Sequence, residues 1–169
     1  MYKIKKKKLN PVRPELSIII PIKDALQYLD KCLSSLQKIQ DVLYEIILIN
    51  DNSNQETVNY LNQLPISQLN IIHHTQSKGF IESCHTGANK AIGQYLLFLN
   101  SDTELVDQLA FRKMLDVFKF NKNVGVVGAR LILSNNTIQH ASLIFDTKQM
   151  NYTHRYYGRD MNDPVVCVN

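Results

Sequence analysis

Four short polar segments each follow an apolar, strand-like segment, and together they offer carboxylates, amides, hydroxyls and lysines. The four segments are 21–24 (Pro-Ile-Lys-Asp), 50–53 (Asn-Asp-Asn-Ser), 77–79 (Ser-Lys-Gly) and 100–102 (Asn-Ser-Asp). In open parallel sheets, ligands bind outside the carboxyl ends of the strands. Oxygen ligands of these types suit a hard divalent cation together with a polar, hydroxyl-rich ligand. The pattern therefore predicts one polar site assembled from strand ends.

The elements that would position these segments alternate between strand and helix. Continuous apolar, β-branched runs predict buried parallel strands at 16–22, 45–49, 69–73 and 95–99. Apolar residues at helical spacing predict helices over 26–39, 58–64, 81–92 and 111–118. Gly93 stands where the C-terminal cap of the third helix is expected. The alternation predicts an α/β domain with a mostly parallel central sheet and helices on both faces.

The helical pattern stops before the last part of the chain. Asn135 and Asn136 predict a turn, and residues 137–145 predict a further strand, so mixed or antiparallel strands are expected there. The last 19 residues have the composition of turns and no clear period.

Charge is unevenly distributed along the 169 residues. Residues 1–13 carry six basic side chains and no acid, whereas the whole chain has a net charge of +4. Residues 1–14 are therefore interpreted as a basic, disordered leader that could contact an anionic membrane surface. The rest of the chain is slightly acidic, which disfavours nucleic acid as a partner. No secretory signal or membrane-spanning segment is evident, so a location in the cytoplasm, either free or at the inner face of the membrane, is expected.

The cysteines and the missing motifs narrow the function further. Cys32, Cys84 and Cys167 lie far apart, which is not typical of a disulfide framework or a zinc site, and Cys32 and Cys84 fall on apolar helix faces. The sequence has no P-loop, no glycine-rich dinucleotide fingerprint after the first strand and no nucleophile elbow. A nucleotide, if one binds, must be held in another way.

Three segments, in this order, resemble glycosyltransferase family 2, whose members have the GT-A fold. They are IIIPIKDALQYLDKCLSSL, EIILINDNSNQET and KGFIESCHTGANKAIGQYLLFLNSDTEL. A fourth, VGVVGARLILSNNTIQHASLIF, is similar to a branch linked to bacterial surface polysaccharides that includes rhamnosyltransferase-like members. The resemblance extends from Leu16 to Pro164 and implies a nucleotide-diphosphate sugar donor and a saccharide acceptor.

The resemblance assigns a donor-binding role to four residues. Pro21 and Lys23 match the first strand end, which lies against the base and ribose. Asp51 matches the acid that hydrogen-bonds the uracil or ribose, and Gly79 matches a glycine of the loop that passes close to the nucleotide.

The segment from Asn100 to Asp102 matches the DxD motif with its first acid replaced. Ser101 and Asp102 are accordingly assigned to nucleotide-sugar binding, and Asp102 is the expected ligand of Mg²⁺ or Mn²⁺. Gln139 and His140 fall on the acceptor side of the family pattern.

The resemblance implies inverting transfer of a hexosyl or rhamnosyl group, for which a carboxylate base deprotonates the acceptor hydroxyl. In the family this base lies beyond the position of Asn169, so residues 15–169 are interpreted as a truncated GT-A domain with the donor-binding part and the start of the acceptor part. Two alternatives stay open: a non-catalytic nucleotide-sugar-binding module and, with less support, a nucleotidyltransferase. An incomplete acceptor half would expose apolar surface, which favours a homo-oligomer.

Overall fold

The computed structural model describes residues 12–24, 26–65, 69–148 and 150–164. The chain divides into two compact units, one ending at Leu109 and the other beginning at Ala110. The first unit contains β1 (Leu16–Ile22), α1 (Leu26–Leu36), β2 (Tyr44–Asn50), α2 (Gln55–Leu61), β3 (Leu69–His73), α3 (Gly79–Ala88) and β4 (Tyr95–Phe98). The second contains α4 (Ala110–Phe120), β5 (Leu131–Ile132), β6 (Ile138–His140), β7 (Ser142–Asp146) and β8 (Asn151–Arg155).

The first unit is built on a four-stranded parallel sheet in the order β3-β2-β1-β4. β1 and β2 are central and in register from Leu16 opposite Tyr44 to Ile22 opposite Asn50. Successive residues of β1 face opposite sides of the sheet, yet Ile18, Ile19 and Ile20 are all fully buried. Both faces of β1 are therefore covered, as the continuous apolar run predicted. The predicted α/β class, with helices flanking a parallel sheet, is confirmed.

Helix α3 packs on one face of this sheet, against β1 and β2. The core there consists of the buried side chains of Ile19, Ile47 and Ile49, with Ile72 and Ala88 packed against them. This packing sets the position of the N-terminus of α3 relative to the ends of β1 and β2.

The ends of α1 and α3 are among those that differ from the prediction. α1 ends at Leu36, and the backbone N–H groups of Lys38 and Ile39 each bond to the third residue before them, so that Ile39 is buried outside the helix. The assignment of Gly93 as a helix cap is wrong, because α3 ends at Ala88 with Asn89 as its cap. Gly93 instead lies against β1, where a Cβ atom would come within 2.6 Å of the Ser17 nitrogen.

The folded part begins before residue 15. The Arg13 guanidinium donates to the carbonyl oxygens of Ile92, at 2.6 Å, and Gly93, at 3.1 Å, and Pro14 is buried. Arg13 and Pro14 therefore do not belong to a disordered leader. Residues 1–11, and with them the lysines proposed for membrane contact, lie outside the described residues. Within the described part of the chain, every helix is too short or too polar to cross a membrane.

The second unit contains α4 and two small antiparallel sheets, β5 with β6 and β7 with β8. Antiparallel strands were expected here, but a single strand over 137–145 was wrong, because the chain changes partner at Ala141. The last 19 residues, which have the composition of turns, include a strand that was not predicted, since β8 pairs with β7. Every described side chain of β8 is exposed, so no apolar alternation marks this strand in the sequence.

Candidate functional site

A pocket of about 300 Å³ lies at the carboxyl edge of the parallel sheet, where ligands bind in open α/β folds. It is formed by the end of β1, the residue after β2 and the first turn of α3. Its lining residues are Pro21, Ile22, Lys23, Asp51, Ser77, Gly79, Phe80 and Ser83. The pocket thus brings together four of the residues predicted for donor binding: Pro21, Lys23, Asp51 and Gly79.

The ammonium group of Lys23 is fixed at the wall of the pocket. It donates to the backbone carbonyls of Asp51, at 3.0 Å, and Asn52, at 2.7 Å. Asn52 and Asp24 both have positive φ angles, near 55° and 52°, which asparagine and aspartate tolerate better than most residues. An ammonium group has three N–H donors, so one remains for a ligand.

The carboxylate of Asp51 is buried and fully engaged by the protein. Oδ1 accepts from the Lys78 backbone N–H, at 2.7 Å, and from His74 Nδ1, at 2.9 Å. Oδ2 accepts from the Ser77 hydroxyl, at 2.7 Å, and from the Gly79 backbone N–H, at 2.9 Å. The end of β2 is thereby tied to the turn that opens α3.

Two opposing effects set the pKa of Asp51. Burial disfavours the charged form and raises the pKa, whereas the hydrogen bonds from His74, Lys78, Ser77 and Gly79 favour it. The four hydrogen bonds outweigh burial and hold the pKa well below its usual range. Asp51 is therefore an anion at neutral pH, and its charge is stabilised by local hydrogen-bond donors.

His74 links Asp51 to the body of α3. The ring is only 8% exposed, and its Nε2 lies 3.1 Å from the Thr86 hydroxyl oxygen. Because Nδ1 donates to Asp51, Nε2 of the neutral ring is an acceptor, and the Thr86 hydroxyl donates to it. The histidine is thus held at both nitrogens.

Asn50, the last residue of β2, makes a second connection between strand ends. Its amide nitrogen donates to His73 Nδ1 at 2.9 Å, and its Oδ1 accepts from the Ser53 backbone N–H at 3.0 Å. The amide supplies a donor that a carboxylate lacks, so the side chain can join β2 to the end of β3.

The other two residues assigned to the donor, Ser101 and Asp102, lie in the turn after β4 and do not line the pocket. Ser101 is buried and Asp102 is exposed. Cys32 of α1 lies beneath this turn, where its thiol donates to the Asn100 carbonyl at 3.9 Å. Burial and, to a smaller extent, the charge of Asp102 raise the pKa of Cys32 to about 12.

In the turn after β4, the residue that could bind a metal ion is Asp102. The described residues contain no cluster of three or more histidine, cysteine, aspartate or glutamate side chains that could enclose a metal ion. Asp102 offers a single exposed carboxylate. Mg²⁺ and similar hard cations are often bound by one or two carboxylates together with substrate phosphates and water. Asp102 therefore fits a cation that arrives with a phosphorylated ligand.

The predicted acceptor residues lie in the second unit. Gln139 is an exposed residue of β6, and His140 Nδ1 lies 2.9 Å from His154 Nδ1 of β8. Their role in acceptor binding stays a prediction.

Sequence reasoning assigned no role to three residues that shape the pocket or its wall: His74, Phe80 and Ser83. His74 is the one that contacts Asp51. Its place one residue after β3, at the same sheet edge as Asp51, is the signal that could have identified it. Phe80 is the only aromatic lining residue and is 57% exposed, so no burial pattern singles it out.

Comparison with known proteins finds a match to one family. The model of glycosyl transferase family 2 matches residues 17–167. The O-antigen biosynthesis protein RfbC of Myxococcus xanthus is 31% identical over 138 residues, which are 79% of this chain and 11% of that protein. The chain thus spans a small part of this relative's length.

Solved structures share the fold at low identity. The Pyrobaculum calidifontis mannosyltransferase PcManGT, in complex with GDP-Man and Mn²⁺, matches with a TM-score of 0.58 and 14% identity, over 75% of this chain and 38% of its own. Residues 1–349 of S. aureus TarS, in complex with UDP-GlcNAc, match with a TM-score of 0.57 and 18% identity, over 72% and 41%.

The fold and the strand-end pocket define a GT-A-type α/β protein. The family match covers most of the sequence, and the chain belongs to glycosyltransferase family 2.

Proposed function

We propose that this chain is the donor-binding part of an inverting glycosyltransferase that transfers a sugar from a nucleotide-diphosphate donor to a saccharide acceptor. The observation that carries the proposal is the pocket at the end of β1 and β2, which unites Pro21, Lys23, Asp51 and Gly79 in a chain of this family. The similarity to an O-antigen biosynthesis protein supports a role in bacterial surface polysaccharide synthesis.

Three residues of the pocket contribute to donor binding in different ways. Lys23 presents its remaining N–H to an oxygen of the nucleotide, and Gly79, with φ near 84°, allows the chain to turn sharply beside the ligand. Phe80 contributes an apolar surface. Together they hold one end of the donor and leave its sugar free to meet the acceptor.

Asp102 would hold Mg²⁺ or Mn²⁺. When bound, such a cation neutralises charge on the departing nucleotide diphosphate. The acceptor hydroxyl attacks the anomeric carbon from the side opposite the diphosphate, which inverts the configuration. The bond from that carbon to the diphosphate breaks, and the hydroxyl proton passes to a carboxylate base. Gln139 and His140 are proposed for the acceptor side.

Titration calorimetry of the chain with UDP, dTDP and GDP, each with Mn²⁺ and with EDTA, tests the proposal. We expect one nucleotide to bind, Mn²⁺ to strengthen binding by about tenfold or more, and Asp102→Ala to remove that gain. Asp116→Ala, which removes an exposed carboxylate of α4, is the matched control and should keep the Mn²⁺ effect. Failure of all three nucleotides to bind, or an unchanged Mn²⁺ effect in Asp102→Ala, would contradict the proposal.

A further inference from the structure

We infer that His140 and His154 form a binding site for one divalent transition-metal ion, such as Zn²⁺, in the second unit. Neither residue lines the nucleotide pocket, so the site does not depend on the proposed function. Imidazole nitrogen is a preferred ligand of Zn²⁺, Cu²⁺ and Ni²⁺, whereas Mg²⁺ prefers oxygen. The ion is therefore of a different chemical class from the cation proposed for Asp102.

Two ring nitrogens in close contact carry the inference. The Nδ1 atoms of His140 and His154 lie 2.9 Å apart, and the two rings are nearly perpendicular, with an interplanar angle of 81°. Two N–H groups cannot face each other at this distance, and two bare nitrogens would oppose their lone pairs. The contact therefore needs one partner between the rings, which is either a shared proton or a metal ion bound by both.

The separation of the two nitrogens suits a metal ion. Histidine nitrogens bind Zn²⁺ at about 2.0–2.1 Å, and two such ligands at a right angle or a tetrahedral angle lie about 2.8–3.4 Å apart. The observed distance of 2.9 Å falls within this range. Within the described residues, no third histidine, cysteine or carboxylate completes a cluster around the pair. Water or an oxygen ligand would fill the other positions of the ion, which leaves room for the acceptor role proposed for His140.

Main-chain hydrogen bonds hold the segments that carry the two histidines together. The Ile138 N–H donates to the Arg159 carbonyl at 2.8 Å, and the Gly158 N–H donates to the Ile138 carbonyl at 2.9 Å. These bonds lie two residues before His140 and four residues after His154, and β8 is itself paired with β7. Strand β6 and the chain after β8 are thus fastened beside the pair, so an ion can bind with little change in the backbone.

The surroundings of the pair admit a cation. His154 is exposed and its partner is half-buried, so ions in solution can reach the site. On the face of the β7–β8 sheet that carries His154, the neighbouring side chains of Leu143 and Tyr152 are uncharged. The adjacent cation, Arg155, belongs to the opposite face, where its guanidinium lies over a tyrosine ring at 4.7 Å from the centroid.

A bound ion would join the two small sheets of the second unit. His140 ends β6, which pairs with β5, whereas His154 belongs to β8, which pairs with β7. An ion that binds the folded state alone stabilises it by mass action. The site therefore supplies a link between two sheets that bury few side chains.

Titration calorimetry with Zn²⁺ tests the inference on the whole chain, without an affinity tag or nucleotide. Excess Mg²⁺ is present, so that sites made of oxygen ligands do not contribute. We expect one Zn²⁺ per chain to bind at the pair, and His154→Ala to weaken this binding at least tenfold, since one imidazole remains. His85→Ala, the same change at an exposed histidine of α3, and Cys167→Ser should each keep the affinity within about twofold of the wild type.

Nitrogen-15 NMR of the imidazoles locates the ion and separates it from a shared proton. Without Zn²⁺ one Nδ1 carries a proton and donates it to the other ring. At saturating Zn²⁺ we expect the Nδ1 signals of both rings to shift together and this N–H to disappear, because ligating imidazole nitrogens carry no proton.

Three results would each overturn the inference. They are no Zn²⁺ binding to the wild type at about 1 mM, equal affinity in a folded His154→Ala variant, and an Nδ1–H signal that persists at saturation. If His154→Ala does not fold, His154→Gln keeps a polar side chain at this exposed position, and the same loss is expected. Neither measurement involves nucleotide, so failure here and failure of the proposed function are distinguishable.

Discussion

Gly87 of α3 lies directly against the side chain of Ile19 in β1. A Cβ atom at position 87 would lie much closer to the Ile19 Cγ2 atom than two carbon atoms can approach without a clash. Ile19 is fully buried and β-branched, so it cannot move aside cheaply. The absence of a side chain at position 87 is what lets α3 approach the sheet this closely.

Gly87→Ala is therefore expected to lower the free energy of unfolding by about 1–3 kcal/mol, although alanine is the better helix former. Urea unfolding measures the effect. Gly125→Ala is the control, because a Cβ atom there meets nothing within 4 Å, and its effect should stay within about 0.5 kcal/mol. In an Ile19→Ala background the cost of Gly87→Ala should shrink; an undiminished cost would show that the two residues are not coupled.

The hydrogen bonds of Asp51 predict how stability depends on pH. Burial raises its pKa, but the four donors lower it more, so the folded state binds the proton less tightly than the unfolded state does. The stabilisation is then fully present above the unfolded pKa, about 3.9 for aspartate, and is lost as the pH falls below that value. Asp51→Ala should lower the free energy of unfolding by about 3 kcal/mol at pH 7, because it leaves buried hydrogen-bond donors unpaired.

Urea unfolding of the wild type and of Asp51→Ala between pH 7 and pH 3 checks the direction of this pH dependence. The difference between the free energies of unfolding of the two proteins should be constant from pH 7 to pH 5 and should narrow below about pH 4. Asp30→Ala, at an exposed residue of α1, should show a much smaller difference throughout. A difference that widened towards acid pH would mean that the native Asp51 pKa is raised.

The sequence predicted the first unit well because its two central strands, β1 and β2, are buried on both faces. A continuous apolar run such as Ile18-Ile19-Ile20 indicates a strand that is covered on both faces. The polar residues that follow such runs mark the edge of the sheet where the pocket lies. The second unit was predicted less well, since β7 and β8 are short and their described side chains are largely exposed. Pairing across such strands leaves little trace in apolar spacing.

The positions of the pocket residues were predicted from the sequence, whereas their hydrogen-bond partners were not. Pro21, Lys23, Asp51 and Gly79 do line one pocket, as their strand ends suggested. The four hydrogen bonds to Asp51 could not be foreseen, because they depend on how a segment 23 to 28 residues later folds back onto β2. Sequence spacing carries no information on contacts of that range.

Cys32 is expected to be inert towards thiol reagents in the folded protein. It is fully buried, and its pKa of about 12 leaves almost no thiolate at pH 8. Alkylation by iodoacetamide at pH 8, followed by peptide mass spectrometry, should be at least about a hundredfold slower than in urea. Asp102→Asn should change this little, since burial is the larger cause of the shift. Rapid labelling of native Cys32 would show that the turn above it opens.

The ammonium group of Lys23 is expected to contribute directly to nucleotide affinity. Two of its three N–H groups are held by the carbonyls of Asp51 and Asn52, which fixes the third at the pocket wall. Lys23→Met keeps the length of the side chain and removes its charge. We expect about tenfold weaker binding of the preferred nucleotide diphosphate, in keeping with one charge-assisted hydrogen bond.

Calorimetry at low and high salt separates this contact from a general effect of charge. Lys90→Met, at an exposed lysine beyond α3, also lowers the positive charge by one but should leave the affinity within about twofold of the wild type. The loss in Lys23→Met should persist at 0.5 M salt, because a hydrogen bond at a pocket wall is screened less than a distant surface charge. Equal affinities for Lys23→Met and Lys90→Met would mean that the third N–H of Lys23 does not reach the nucleotide.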